Sequence, residues 1–168
     1  MAGNAKDFLS LAGEDLVSLS DGALLTVAAG GEQNTMTVSW GMTGFMWARS
    51  VFMVMVRRSR HTFSLIERAD SFTVSIPKHP DAKEWLAYCG SKSGRDGDKF
   101  AALGLATQPA KVVNGVVIDC PGTHFEARIL HRVDMAQGTL DKGVQEAHYV
   151  KDGLHVLYFG EILARYSK

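Results

Sequence analysis

The sequence predicts a mainly β protein, a β-barrel with a few peripheral helices. Segments with strand character outnumber segments with helical character along the chain. Most neighbouring strand segments have the pattern expected of antiparallel pairing. Glycine and proline residues are scattered between these segments, and we find neither an internal repeat nor a linker. Residues 1–168 are therefore predicted to form a single domain.

Two strands are predicted in residues 24–40, joined by a turn at Gly30-Gly31. In the second strand, apolar residues alternate with residues that carry hydroxyl groups, so the two faces differ in polarity. The apolar face holds Met36, Val38 and Trp40, and the hydroxyl face holds Thr35, Thr37 and Ser39. A solvated face is one explanation of the hydroxyl row, and a wall against a polar ligand is the other.

Four further strands follow. Residues 51–57 are apolar on both faces, which predicts a central strand, and residues 71–77 alternate up to a terminal proline. Residues 123–133 are predicted to have one wet face, formed by Glu126, Arg128 and Arg132. Residues 154–165 form a long closing strand in which Gly160 marks a bulge or a bend.

Helices are fewer. One is predicted to begin at Ser59, as N-cap, and to continue to about Ala69. Residues 80–90 can form a second helix that closes at its final glycine. Asp96 can cap a short third helix over residues 97–104.

The composition excludes several functional classes. Eighteen basic and eighteen acidic side chains balance, so a general role on nucleic acids or on a membrane surface has no electrostatic support. The apolar residues 51–56 are too few to span a bilayer, and the N-terminus lacks the pattern of a secretory signal. With only Cys89 and Cys120, we expect free thiols in a cytoplasmic protein.

The end of the third strand is a candidate anion site. Arg57 ends the strand, Ser59 opens the predicted helix, and Thr62 lies in its first turn. A phosphate there would accept bonds from two hydroxyl groups, from backbone N–H groups and from a guanidinium. Ordinary helix capping with solvated arginines is the alternative explanation.

Residues 89–100 are a second candidate, because small residues allow a backbone to approach a ligand closely. Ser93, Arg95 and Lys99 add hydrogen-bond donors in this loop. A polar surface loop is the alternative, and the pattern does not match a Walker P-loop. Asn34 and Trp40 flank the hydroxyl row and would extend a ligand wall.

Other motifs are missing from the sequence. We find no HExxH or CxxC pattern for a metal site, and no GxSxG pattern for a nucleophilic serine. A GxGxxG segment after a strand is also missing, so a Rossmann nucleotide-binding unit is not predicted.

Taken in order, these stretches resemble the flavin reductase-like, FMN-binding split-barrel family, which includes the flavoredoxins. The likeness runs from residues 34–41 (NTMTVSWG) through residues 56–67 and 71–77 to residues 88–100 (YCGSKSGRDGDKF). It covers about half of the chain. The C-terminal third is similar in its strand-rich character and in its closing VLYFGEIL.

This resemblance implies an antiparallel six-stranded barrel, a homodimer, and FMN bound at the dimer interface. The phosphate would lie near Arg57, Ser59 and Thr62, and the loop with Ser93, Arg95 and Lys99 would close over the cofactor. Thr37, Ser39 and Trp40 would lie beside the ribityl chain and ring, with Asn34 and Met36 nearby. The cofactor would carry the redox chemistry, so no side chain is expected to act as acid or base.

Two departures from the family pattern stand out. Members often have a proline after the tryptophan and another between arginine and serine, whereas residues 47–50 read WARS and residues 57–59 read RRS. We expect two looser turns there, with Arg58 either near the phosphate or in water.

Three functions remain open from the sequence. The first is a flavin reductase that transfers hydride from NAD(P)H, a transient substrate, to FMN. The second is a flavoredoxin-like electron carrier with a protein redox partner, and the third is a non-redox split-barrel binding protein.

Overall fold

The computed structural model describes residues 11–168, which contain five helices and nine strands. In chain order these are α1 (Ala12–Asp21), β1 (Ala23–Ala29), β2 (Glu32–Val38), β3 (Gly41–Met46), β4 (Arg49–Arg57), α2 (His61–Ile66), β5 (Ser71–Pro77), α3 (Ala82–Ser91), α4 (Lys99–Leu103), β6 (Thr107–Pro109), β7 (Val116–Ile118), β8 (Gly122–Asp134), α5 (Lys142–His148) and β9 (His155–Ser167). None of the helices in this part of the chain is long and apolar enough to cross a membrane.

A seven-stranded antiparallel sheet dominates the fold, in the order β2-β1-β5-β8-β9-β4-β3, and β6 pairs with β7 separately. The mainly β prediction is confirmed, and so is the hairpin at Gly30-Gly31, where β1 and β2 pair along their whole length. The extra edge strand β3 was not predicted, because Gly41 and Gly44 interrupt its alternating pattern.

The sheet curls around its core. Helix α2 contacts β1 and β2 near one end of the strand order and also β4 near the other end. Apolar side chains from β1, β2, β4, β5, β8 and β9 pack with α2 into one buried cluster. Strands that are distant in the sheet order can share one core only if the sheet closes toward a barrel. The cluster includes Leu25, Val38, Phe52, Leu65, Phe72, Phe125, Tyr158 and Ile162.

A second buried cluster covers the outer face of β1. Leu24 points away from the barrel core and packs with residues from α3, α4 and β7. Cys89 and Cys120 belong to this cluster, and both are buried free thiols, as predicted. This layer holds α3, and the loop that follows it, against the back of β1 and β2.

Two predicted helix caps are wrong. Helix α2 begins one residue after its N-cap Arg60, which makes no side-chain cap, and ends at Ile66 instead of about Ala69. Ser59 therefore belongs to the preceding turn, closed by a bond from Arg60 N to Arg57 O of 3.0 Å. Helix α4 is capped by Asp98, not Asp96, since the Asp98 carboxylate accepts from two backbone N–H groups.

The predicted wet face of β8 is wrong at Glu126, which is fully buried. Its carboxylate accepts from the backbone N–H groups of Lys111 and Val112 and from the hydroxyl group of Tyr166. A buried carboxylate needs such donors, and here they come from the loop between β6 and β7 and from β9. The irregularity near Gly160 is present, although the extra residue, Leu130, lies on the paired strand β8.

The turns that lack the family prolines are closed rather than loose. Met46 pairs with Arg49 across a two-residue turn in which Trp47 and Ala48 have φ values of 52° and 57°. Positive φ values at both central residues are typical of the tight turns that join paired strands. Arg58 contacts Asp134 in an ion pair and lies over the Phe63 ring.

Candidate functional site

A cavity of about 240 Å³ runs along the free edge of β2. Its other walls are the end of β4, the start of α2, and the loop between α3 and α4. Most of the candidate residues predicted from the sequence line it, namely Asn34, Met36, Thr37, Ser39, Trp40, Arg57, Ser59, Thr62, Ser93 and Lys99. Arg95 lies just outside, where its guanidinium donates to the carbonyl of Ser59 at 3.0 Å. The structure therefore brings separate sequence segments together at one place.

Asn34 and Thr62 form one buried corner of this cavity. The Asn34 Nδ2 atom donates to the Thr62 hydroxyl at 2.7 Å, and Thr62 has no exposed surface. Gly94 lies directly against Asn34, and a Cβ atom at that position would collide with the Asn34 amide and the His61 ring. Only glycine allows the loop to approach so closely. Thr62 thus fixes the orientation of the Asn34 amide.

Lys99 places a buried positive charge beside the cavity. The residue is 4% exposed, and its Nζ atom donates to the carbonyls of Thr35 and Cys89 at 2.9 Å each. No carboxylate within residues 11–168 forms an ion pair with it. Burial lowers the pKa of Lys99; Cys89 opposes this shift and the positive charge of Arg60 adds to it. Two carbonyls leave one N–H unused, so the ammonium group can bind an anion.

Arg60 is a cavity residue that the sequence analysis missed. It lines the same space, is exposed, and lies close enough for its charge to affect Lys99. Its guanidinium has no hydrogen-bond or ion-pair partner among residues 11–168. The available signal was the segment RRSR at residues 57–60, where the third arginine directly follows Ser59. Together Arg60 and Lys99 make this end of the cavity cationic.

Arg57 lies in the cavity wall, but its donors are directed elsewhere. Its guanidinium donates to the carbonyls of Gly153 and His148, at 2.9 and 3.1 Å. It also lies 3.8 Å from the Asp152 carboxylate and 5.2 Å from the centroid of the Tyr149 ring. All of these partners belong to residues 141–153, which we call the strap and which include α5.

The hydroxyl row of β2 is covered by protein rather than by solvent. Thr35 is fully buried, and its hydroxyl group accepts from the hydroxyl group of Thr26 at 3.1 Å. Thr37 donates to the carbonyl of Leu86 in α3 at 2.6 Å, whereas Ser39 is exposed at the cavity mouth. Solvation is therefore the wrong explanation for Thr35 and Thr37.

Aromatic side chains form the opposite end of the cavity. The Trp40 ring contacts the His148 ring edge-on, with centroids 4.9 Å apart, and the His155 ring at 5.5 Å. The Tyr149 hydroxyl group lies 2.9 Å from His155 Nδ1. Burial lowers the pKa of His155 to about 4; Arg57 and Arg60 act in the same direction, while Asp152 opposes them. His155 is therefore uncharged at neutral pH, and this end of the cavity is mainly aromatic.

We predict that His155 titrates with a pKa near 4 in the folded protein. An unfolded chain has an imidazole pKa of about 6.5. Because the folded pKa is the lower one, His155 contributes stability above about pH 6.5, and this contribution is lost as the pH falls toward 4. NMR titration of the imidazole signals, assigned with the His155→Gln variant, measures the midpoint. A midpoint above pH 6 would contradict this environment.

Structural comparison places this architecture among known flavin proteins. The flavoredoxin of Desulfovibrio vulgaris (Miyazaki F) superposes with a TM-score of 0.69 at 22% identity, covering 88% of this chain and 69% of that one. An FMN-binding domain of a flavin reductases-like enzyme from Shewanella baltica OS155 gives a TM-score of 0.69 at 14% identity, covering 98% of this chain and 74% of that one. A Streptomyces globisporus C-1027 NADH:FAD oxidoreductase gives a TM-score of 0.65 at 14% identity, covering 88% of this chain and 75% of that one.

At these identities the superpositions show a shared fold. No curated protein matches the chain. The family model described as "Flavin reductase like domain" matches residues 20–167, which include the C-terminal third as well as the cavity. The chain therefore belongs to the flavin reductase-like domain family.

Proposed function

We propose that this chain binds FMN in the cavity and acts as a flavin reductase that uses NAD(P)H. Family membership supports a flavin-related function. The observation that carries the proposal is the buried ammonium group of Lys99, which has no carboxylate partner in residues 11–168 and lies beside the unpaired Arg60. A buried cation without a counter-ion is expensive, and a phosphate group would compensate it.

The phosphate is assigned to the cationic end of the cavity. Lys99 and Arg60 would supply charge, and the hydroxyl groups of Ser59 and Ser93 would supply hydrogen-bond donors. The glycine-containing loop, held close by the contact of Gly94 with Asn34, brings Ser93 toward this end. Such a set neutralises a phosphate dianion with protein groups alone.

The remainder of the ligand would follow the free edge of β2. An edge strand presents unpaired backbone N–H and C=O groups, which suit the polar atoms of a ribityl chain and a flavin ring. Thr37, Ser39 and Met36 line this path, and Trp40 supplies an aromatic surface at its far end. When bound, FMN would supply the redox chemistry by accepting a hydride from a reduced nicotinamide.

An electron-transfer function is the second candidate. The structural similarity to a flavoredoxin favours it, as does the exposed position of Trp40 at the cavity mouth. A carrier of this kind would exchange electrons with a protein partner instead of a nicotinamide. The two functions use the same cavity and differ in which molecule reduces the flavin.

A homodimer is also part of the proposal. The edge strand β3 and its turn expose a series of large apolar side chains, including Phe45 at 58% and Trp47 at 53% exposure. Met42 and Met46 belong to the same exposed series. An unpaired edge strand with exposed apolar side chains is a surface that a second copy would cover.

We predict that the Arg60→Ala and Lys99→Met variants each weaken FMN binding by about 1–3 kcal/mol, the range for a lost charge-assisted bond. Methionine keeps the packing of the lysine stem while removing its charge. Arg58→Ala is the matched control, because Arg58 pairs with Asp134 outside the cavity. Fluorescence titration of FMN measures the affinities. Unchanged affinity in both variants would refute the phosphate assignment.

We predict that the FMN-loaded protein is reduced rapidly by NADH or NADPH under anaerobic conditions. Loss of visible flavin absorbance after each addition measures the rate and identifies the preferred donor. A bound flavin that stays oxidised with both nucleotides would favour the electron carrier. Free-flavin spectra throughout would show that FMN does not bind.

We predict a dimer in sedimentation experiments, converted to a monomer by Phe45→Arg. Arginine at this position would place a charge in the apolar contact. Val112→Arg is the control, since Val112 is an exposed apolar residue of the loop between β6 and β7. A wild-type monomer that still binds FMN tightly would contradict the proposed assembly.

A further inference from the structure

The strap has little packing of its own. Every residue from 141 to 153 is exposed except Tyr149, which is half-buried, and helix α5 buries no side chain. Its internal ion pair, between Lys142 and Glu146, is also exposed. A segment with so few buried contacts opens at low free-energy cost. Its position beside Trp40 and His155 must depend on a small number of specific contacts.

Arg57 provides the hydrogen bonds that reach the strap backbone from outside. Among residues 11–168, it is the only side chain outside the strap that hydrogen-bonds to the strap backbone, through the carbonyls of His148 and Gly153. The arginine side chain is only 11% exposed, and the Asp152 carboxylate and Tyr149 ring enclose it further. A planar guanidinium suits several acceptors at fixed angles, so Arg57 joins both ends of the segment 148–153.

The inner side of the strap contacts the aromatic end of the cavity. His148 packs edge-on against Trp40, and the Tyr149 hydroxyl group bonds to His155. Trp40 and His155 both line the cavity. The position of the strap therefore determines how these two rings are held. Lys99, at the start of α4, and Arg60, in the turn before α2, lie in other elements.

We propose that Arg57 is a positioning residue that holds the strap against the Trp40–His155 end of the cavity, and so controls binding of the part of the ligand that carries no phosphate. Naming that ligand as a flavin rests on the proposed function; the anchoring of the strap does not. The competing role is direct contact of Arg57 with the phosphate. The two roles differ in which flavin they affect, because riboflavin has the same ring and ribityl chain as FMN but lacks the phosphate.

Hydrogen–deuterium exchange of the ligand-free protein tests the anchoring. We expect Arg57→Ala to accelerate exchange of amides in residues 144–153 at least fivefold while leaving the core strand β5 unchanged. Arg57→Lys should recover only part of the protection, since an ammonium group cannot reproduce the planar fork. Arg58→Ala is the control and should leave the strap unchanged. Unaltered exchange of the strap in Arg57→Ala would overturn the proposal.

Binding of FMN and riboflavin tests the consequence for the ligand. We expect Arg57→Ala to weaken both flavins by the same factor, at least fivefold, whereas Arg60→Ala weakens FMN alone. A loss confined to FMN in Arg57→Ala would overturn the proposal and assign Arg57 to the phosphate, and unchanged affinity for both flavins would overturn it too. If wild-type protein binds neither flavin, the proposed function fails, while the exchange experiment still decides whether Arg57 anchors the strap.

Discussion

The free edge of β2 is the constraint on which the rest of the candidate site depends. This strand is at one border of the sheet, so the backbone groups on the side away from β1 have no strand partner. The surrounding elements do not cover this edge of β2, and the cavity lies beside it. Helix α2 and the end of β4 form one wall, and the loop after α3 forms another. Curling of the sheet brings β4 opposite β2, so the cavity is a consequence of barrel closure.

Charge divides this cavity into two ends. At one end, Lys99 and Arg60 form no ion pair with a carboxylate in the described part of the chain. At the other end, burial keeps His155 neutral beside Trp40. A ligand with an anionic group at one end and a flat aromatic ring at the other fits this polarity. The proposal of a phosphorylated flavin follows from that asymmetry together with the family.

Much of the architecture was predictable because it depends on local patterns. Alternation of apolar and polar residues identified the β1–β2 hairpin, β5 and most of β8. Alternation predicted the wrong burial where a polar side chain has hydrogen-bond partners in another part of the chain. Its position in the pattern predicts that Glu126 faces solvent. The residue is buried instead, and the backbone N–H groups of Lys111 and Val112 donate to its carboxylate. The strand β3 was not predicted because its glycines interrupt the alternation of apolar and polar side chains.

The fold class and most of the segments that line the cavity could be predicted from local sequence, because side-chain periodicity and the order of short motifs are properties of neighbouring residues. Which cations have donors left for a ligand depends on contacts between distant parts of the chain. Arg57, Arg58 and Arg60 are nearly equivalent in sequence, but Arg57 bonds to the strap and Arg58 to Asp134. Arg60 alone of the three has no such partner among residues 11–168. Those partners lie about 75–95 residues away in the chain, so no local pattern could have distinguished the three arginines.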